Sequence, residues 1–150
     1  MKIVIATDSF KGTLSSEEVE RIIKEEISKR TNYEIVCVPI ADGGEGLVEC
    51  FGKIKGGETI NLSVTGPNFN KNEAKFLLSG EDAYIEMAEA CGLPKANPKD
   101  TKEVTTYGVG ELIKDALQKG AKNIYLGLGG SASTDGGCGM AAALGTEFYD

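Results

Sequence analysis

The chain has 150 residues, of which 41% are hydrophobic, with a formal net charge of −7, a pI near 4.7 and no histidine. That length suffices for one domain with a core, and the acidity excludes phosphate-backbone binding, so no nucleic-acid partner is expected. Without histidine, a His-ligated zinc site, a Ser-His-Asp triad and a Cys-His dyad are excluded within the chain.

Lys2 to Thr7 is short, β-branched and apolar, and predicts a buried strand. A loop follows to Leu14. Ser15 with Glu18 three residues on predicts a capping box, and Val19, Ile22, Ile23 and Ile27 fall on one helical face. Glu34 to Ile40 predicts a second strand, Ala41 to Gly46 a turn, and Leu47, Val48 and Phe51 a short helix. This βαβα order predicts parallel strands.

Glu58 to Thr65, Glu73 to Leu78 and Ala83 to Met87 then predict half-exposed, partly antiparallel strands, the first two joined by a turn at Gly66-Pro67-Asn68. The expected organisation is a parallel α/β region formed by 1–56 and 99–150, into which a smaller mixed-strand subdomain, 57–98, is inserted. Pro94 to Asp100 would be its exit. Thr105 or Thr106 can cap a helix with an apolar face of Val109, Leu112, Ile113, Ala116 and Leu117, ended by Gly120. Asn123 to Gly127 predicts a strand and Cys138 to Leu144 a helix. Phe148 would open a further strand.

The cysteines Cys37, Cys50, Cys91 and Cys138 form no C-x-x-C pair and sit among apolar or glycine neighbours, as free thiols of a reducing cytoplasm do. The opening run MKIVIATDSF is too short for a signal peptide, and no stretch approaches a membrane span. A cytoplasmic location and no membrane partner are expected.

Three loops follow predicted strands, where parallel sheets bind ligands. In the first, Lys11 can neutralise a phosphate, Asp8 can hold a metal or accept a proton, and Ser9 adds a hydroxyl. In the second, Gly43 and Gly44 open backbone N–H groups between Asp42 and Glu45, two oxygen ligands suited to Mg²⁺. The third, Leu128 to Gly137, leads from a strand to a helix start, a natural anion site. Gly129, Gly130, Gly136 and Gly137 would expose N–H groups there, Ser131, Ser133 and Thr134 would bond phosphate oxygens, and Asp135 can accept a hydroxyl proton or bind metal. Thr105 and Thr106 add a fourth candidate anion site at a helix start. No G-x-x-x-x-G-K-[ST] occurs. Gly127-x-Gly129-x-x-Ala132 fits the loose dinucleotide pattern, with Asp150 as its acid, but leaves Ser133 to Gly137 without a role.

The segments IVIATDSFKGTLSSEE, PIADGGEG, VTGP, IEMAEACGL, TTYGVGELI and LGLGGSASTDGGCGM together resemble bacterial glycerate kinases, in that family's order. Thr7 stands where the family pattern has Pro, and Cys138 where it has Ala. The resemblance implies ATP- and Mg²⁺-dependent phosphorylation of D-glycerate. It gives Gly129 to Gly137 the phosphate, makes Asp42, Glu45 and Asp135 the metal and base candidates, with Asp42, Asp135 and Lys11 catalytic, and sets Lys11 against a phosphate or the glycerate carboxylate. Family members are longer, with the active site between two α/β domains, so this chain is expected to be the N-terminal part of a two-domain kinase. A complementary C-terminal half or a second copy is then the expected partner. Two other readings stand beside it: a nicotinamide-binding oxidoreductase domain, and a non-catalytic truncated or split subunit.

Overall fold

The computed structural model describes residues 1–10, 12–97 and 103–149. Strand β1 (Lys2–Ile5) pairs in parallel with β2 (Glu34–Cys37). Between them lies α1 (Ser16–Ser28), which opens on the expected capping box: Glu18 N–H donates to Ser15 Oγ at 3.3 Å, and Ser15 N–H returns to Glu18 Oε2 at 2.8 Å. Those two bonds hold the Glu18 carboxyl below its ordinary range. Both strands stop earlier than their apolar runs predict. The last bond between them is from Val38 N–H to the Ile5 carbonyl at 2.8 Å, just past Cys37. The strand is also less buried than expected, with Val4 59% exposed. On α1, Val19 is buried and Ile23 and Ile27 are half-buried as expected, but Ile22 lies open and Glu20 is buried, so the inward face is shifted toward Glu20.

The second sheet runs β3 (Glu58–Thr65), β4 (Lys71–Ser79), β5 (Asp82–Glu86), β6 (Asn123–Gly127). Its first two ladders are antiparallel and the β5–β6 ladder is parallel, so the sheet is mixed. The expected boundary at residue 98 therefore runs through a hydrogen-bonded sheet: β5 lies on one side of it and β6 on the other.

Period-2 alternation along these strands feeds two cores. Phe76, Ala83 and Ile85 point to one face, where α4 (Tyr107–Gln118) covers them with Val109, Leu112 and Ala116. Leu77 and Tyr84 point to the other, against Leu47 and Val48 of α2 (Leu47–Lys55). The sheet thus sits between helical layers, the arrangement expected of an α/β fold. A short helix, α3 (Met87–Cys91), begins directly at the end of β5, so the strand expected to reach Met87 stops at Glu86, and a 3₁₀ turn at Leu93–Lys95 follows. Helix α5 (Cys138–Ala143) packs on α4. Residues 146–149 form no strand, so the element expected at Phe148 does not occur.

Candidate active site

The loops after β2 and β6 are joined backbone to backbone. Gly129 N–H donates to the Gly43 carbonyl at 2.8 Å. A Cβ on Gly129 would stand 2.7 Å from both Cα and N of Gly44, and one on Gly127 would stand 2.5 Å from the Gly43 oxygen. No side chain fits at such distances, so these glycines serve close packing of two loops. On its other side the β6 loop is bonded to the segment after α3: Leu93 N–H donates to the Gly130 carbonyl and Ala132 N–H to the Cys91 carbonyl, each at 2.9 Å.

These contacts close one side of a cleft of ≈ 490 Å³. Its walls include Gly12, Glu45, Glu86, Lys95, Gly130 and Ser131, so all three predicted loops reach it. It lies where the carboxyl ends of the parallel pair β5 and β6 open. Lys95 Nζ is held by the Glu89 carbonyl at 2.6 Å and the Glu89 carboxylate at 3.3 Å. Ser131 Oγ lies 2.8 Å from Ser133 Oγ and 3.6 Å from the Cys91 thiol. Burial pushes that thiol up despite the two serines.

Glu86 was not among the residues singled out from the sequence. It ends β5, is only 3% exposed, and accepts from Gly46 N–H at 3.1 Å. Burial, then the neighbouring Glu89 and Glu49 carboxylates, push it up to about 7 against the pull of the Gly46 and Leu47 N–H groups at the start of α2. A signal for it was present: one acid inside the apolar run AYIEMA, in the same alternation as buried Tyr84.

Other predicted residues are differently employed. Asp135 Oδ2 accepts from Thr106 N–H and Thr106 Oγ1, both at 2.8 Å, and from Gly139 N–H at 3.1 Å; Oδ1 accepts from Gly137 N–H at 3.1 Å. Burial opposes ionisation, but these donors outweigh it and hold the carboxyl below its usual range. Asp135 therefore ties the starts of α4 and α5 together, which suits a strut better than the expected base. It also occupies N–H groups of the helix start that was read as an anion cradle, including that of Gly137. Thr106 is fully buried and spent on the same network, its Oγ1 also accepting from Met140 N–H at 2.9 Å. Thr105 Oγ1 accepts from Tyr107 N–H at 3.1 Å in a local turn, and Thr106, the N-cap residue of α4, makes no side-chain cap bond. Neither threonine reads as a ligand site. Both Thr105 and Asp135 border a separate hollow, away from the three-loop cleft.

Asp42 turns back to Gly44 N–H at 2.9 Å and Asp8 to Ser9 N–H at 2.7 Å, local turns that leave both residues exposed. Thr134 and Gly136 are exposed on the far part of the β6 loop. Lys11 lies outside the described residues. The magnesium set expected from sequence, Asp42, Glu45 and Asp135, is not assembled: among the described residues no three His, Cys, Asp or Glu side chains stand close enough to hold a metal ion. The dinucleotide reading fails on geometry, because that fingerprint leads directly into a helix, whereas Ala132 is followed by loop and α5 starts only at Cys138.

The family model for the glycerate kinase family matches residues 3–150. This chain belongs to the glycerate kinase family. Glycerate 2-kinase of Escherichia coli is 46% identical over 157 residues, covering 100% of this chain and 41% of that relative. A glycerate kinase of Bacillus cereus is 45% identical, with 100% and 41% covered. A crystal structure from Salmonella typhimurium, assigned there as a glycerate kinase 2, superimposes with a TM-score of 0.76 at 44% identity, covering 97% of this chain and 40% of that one. The chain thus spans about two-fifths of the length of these relatives. Within this glycerate kinase family chain, no helix among the described residues is long and apolar enough to cross a membrane.

Proposed function

We propose that this chain takes part in the ATP-dependent phosphorylation of D-glycerate to a phosphoglycerate. The carrying observation is the meeting of three strand-end loops on one cleft, in a chain of the glycerate kinase family. A small hydroxy acid suits that cleft: Ser131 and the backbone around Gly12 and Gly130 offer polar groups, and Lys95 offers a cation that a ligand carboxylate or phosphate would share with Glu89. Lys11 would add a second cation from the loop after β1. Transfer of a phosphoryl group asks mainly for positioning and charge neutralisation, which rigidly docked loops supply. ATP would donate the phosphoryl group. The acids expected to hold Mg²⁺ do not fit one protein-built site, so no step is drawn through the ion. Because relatives are much longer, the second wall of the cleft is proposed to come from a complementary half or a partner copy, in the cytoplasm.

The test is D-glycerate-dependent release of ADP, measured on the natural full-length protein and on the 150-residue chain alone. Release that requires D-glycerate in the full-length protein is expected. A folded full-length protein that hydrolyses or ignores ATP regardless of D-glycerate would refute the reading.

A further inference from the structure

We infer that Glu86 is the proton acceptor for the hydroxyl group that is phosphorylated in the cleft, an inference that rests on the kinase reading above. Its position is the first support. Glu86 closes β5, an inner strand of the sheet, beside β6 whose loop walls the cleft. It borders both the ≈ 490 Å³ cleft and an adjoining hollow of ≈ 280 Å³ under the start of α1. Buried at 3% exposure, it is shielded from bulk water on every side but these.

The surroundings are the second support. A carboxylate so placed ordinarily has a cation, because an unpaired buried charge is costly. The recorded polar partners of Glu86 are instead main-chain N–H groups at the start of α2. The nearby cations bond other acids, although Lys75 also feels the Glu86 charge. Lys75 on β4 bonds Glu49 of α2 and lies 3.8 Å from Glu89 of α3; Lys95 lies 3.3 Å from Glu89; Lys53 of α2 lies 3.0 Å from Glu17 of α1. Glu45 borders the cleft from the loop before α2. Two carboxylates, Glu89 and Glu49, therefore act on Glu86 while the lysines bond other acids, an arrangement that favours holding a proton there near neutrality. The carboxyl is accordingly pushed up to about 7, the range that suits a general base at physiological pH.

The employment of two other candidate acids is the third support. Asp42 is exposed and folded onto Gly44, and Asp135 has four donors and a lowered affinity for protons. In the proposed step a Glu86 oxygen takes the hydroxyl proton as the hydroxyl oxygen bonds to the terminal phosphorus of the nucleoside triphosphate. The bond from that phosphorus to its bridging oxygen breaks, the electron pair leaving on the nucleoside diphosphate. Glu86 then returns its proton to solvent.

The test compares the natural full-length protein with its Glu86→Gln and Glu86→Asp variants, following D-glycerate-dependent ADP release against pH and D-glycerate binding by calorimetry. The wild type is expected to lose kcat/KM below about pH 7 along a one-proton limb. Glu86→Gln is expected to lower kcat by about 100-fold or more, to abolish the limb, and to leave the D-glycerate Kd within about threefold. Glu86→Asp should recover at least about tenfold over Gln and restore the limb. Turnover of Gln within about threefold of wild type, or persistence of its limb, overturns the inference while leaving the kinase reading intact. A wild type without D-glycerate-dependent release removes the kinase reading and, with it, this role. Should the Gln variant fail to fold, Asp decides: kinetics and limb both equal to wild type overturn the inference, and reduced kcat with a displaced limb supports it.

Discussion

Replacing Glu86 by Gln should stabilise the protein at alkaline pH and do little in mild acid. Gln keeps the shape and one oxygen that can accept from the Gly46 and Leu47 N–H groups, removes the charge, and turns the other oxygen into an amide nitrogen that faces the cleft. Raising a carboxyl from its ordinary 4.5 to about 7 corresponds to about 3 kcal/mol against the charged form in the folded state. The unfolded chain releases this proton near pH 4.5 and the folded chain near 7. Between those values the folded chain binds more protons, so stability falls as pH rises, and the whole penalty is present above about 7. Urea unfolding of wild type and Glu86→Gln at pH 5 and pH 8 reads this directly. The expected difference is within about 1 kcal/mol at pH 5 and about 2–3 kcal/mol in favour of Gln at pH 8, a rise in Tm of about 5–10 °C. An equal difference at both pH values, or a Gln variant weaker than wild type at pH 8, would refute the account of Glu86 as a buried, unpaired acid.

Gly129→Ala should destabilise by about 2 kcal/mol or more, because its Cβ meets the Gly44 backbone at 2.7 Å; differential scanning calorimetry checks it, and a Tm within about 2 °C of wild type would count against the loop docking. Asp135→Asn should cost about 2–4 kcal/mol, since an amide nitrogen replaces one of two accepting oxygens in a network of four donors, and denaturant unfolding would show it. The wild-type advantage at this site depends on the carboxylate, whose pKa is lowered on folding; it is present above the ordinary value of 3.8 and is lost as pH falls through the folded value. Among the four thiols, Cys138 is exposed and should react first with a thiol reagent under native conditions, whereas burial raises Cys50 and Cys91 and should delay them until unfolding; peptide mapping after timed labelling gives the order.

Local rules carried much of the fold. The Ser15–Glu18 capping box, the alternation in Glu58–Thr65 and the helical face of Val109, Leu112 and Ala116 are written in nearest-neighbour chemistry, and each recurs in the structure. Strand-end loops were legible as a candidate site for the same reason: a glycine cluster after an apolar run is hard to use otherwise. What the cluster does was not legible. The same glycines permit an anion to approach a backbone or a second backbone to do so, and only the tertiary partner, Gly44 against Gly129, decides between them. Asp135 misled in the same way, because two of its four donors come from Thr106, 29 residues away, and are invisible in a short window. Glu86 escaped notice since a single acid in a strand looks like a solvent-facing residue until α2 is packed over it.

This division between residues that hold the loops and a residue that could do chemistry changes how loss of activity is to be read. Gly129 and Asp135 are geometric: one keeps two loops in contact, the other aligns two helix starts. Removing either would displace the cleft wall that carries Gly130 and Ser131, so a fall in turnover would not by itself assign a chemical role to either residue. Asp135, held below the ordinary carboxylate range, cannot produce a kinetic limb near neutrality, and Glu86 can. The pH at which turnover declines therefore discriminates where its magnitude does not. A variant that lowers the rate at every pH without moving that limb acts through the scaffold, and one that erases the limb acts on the proton.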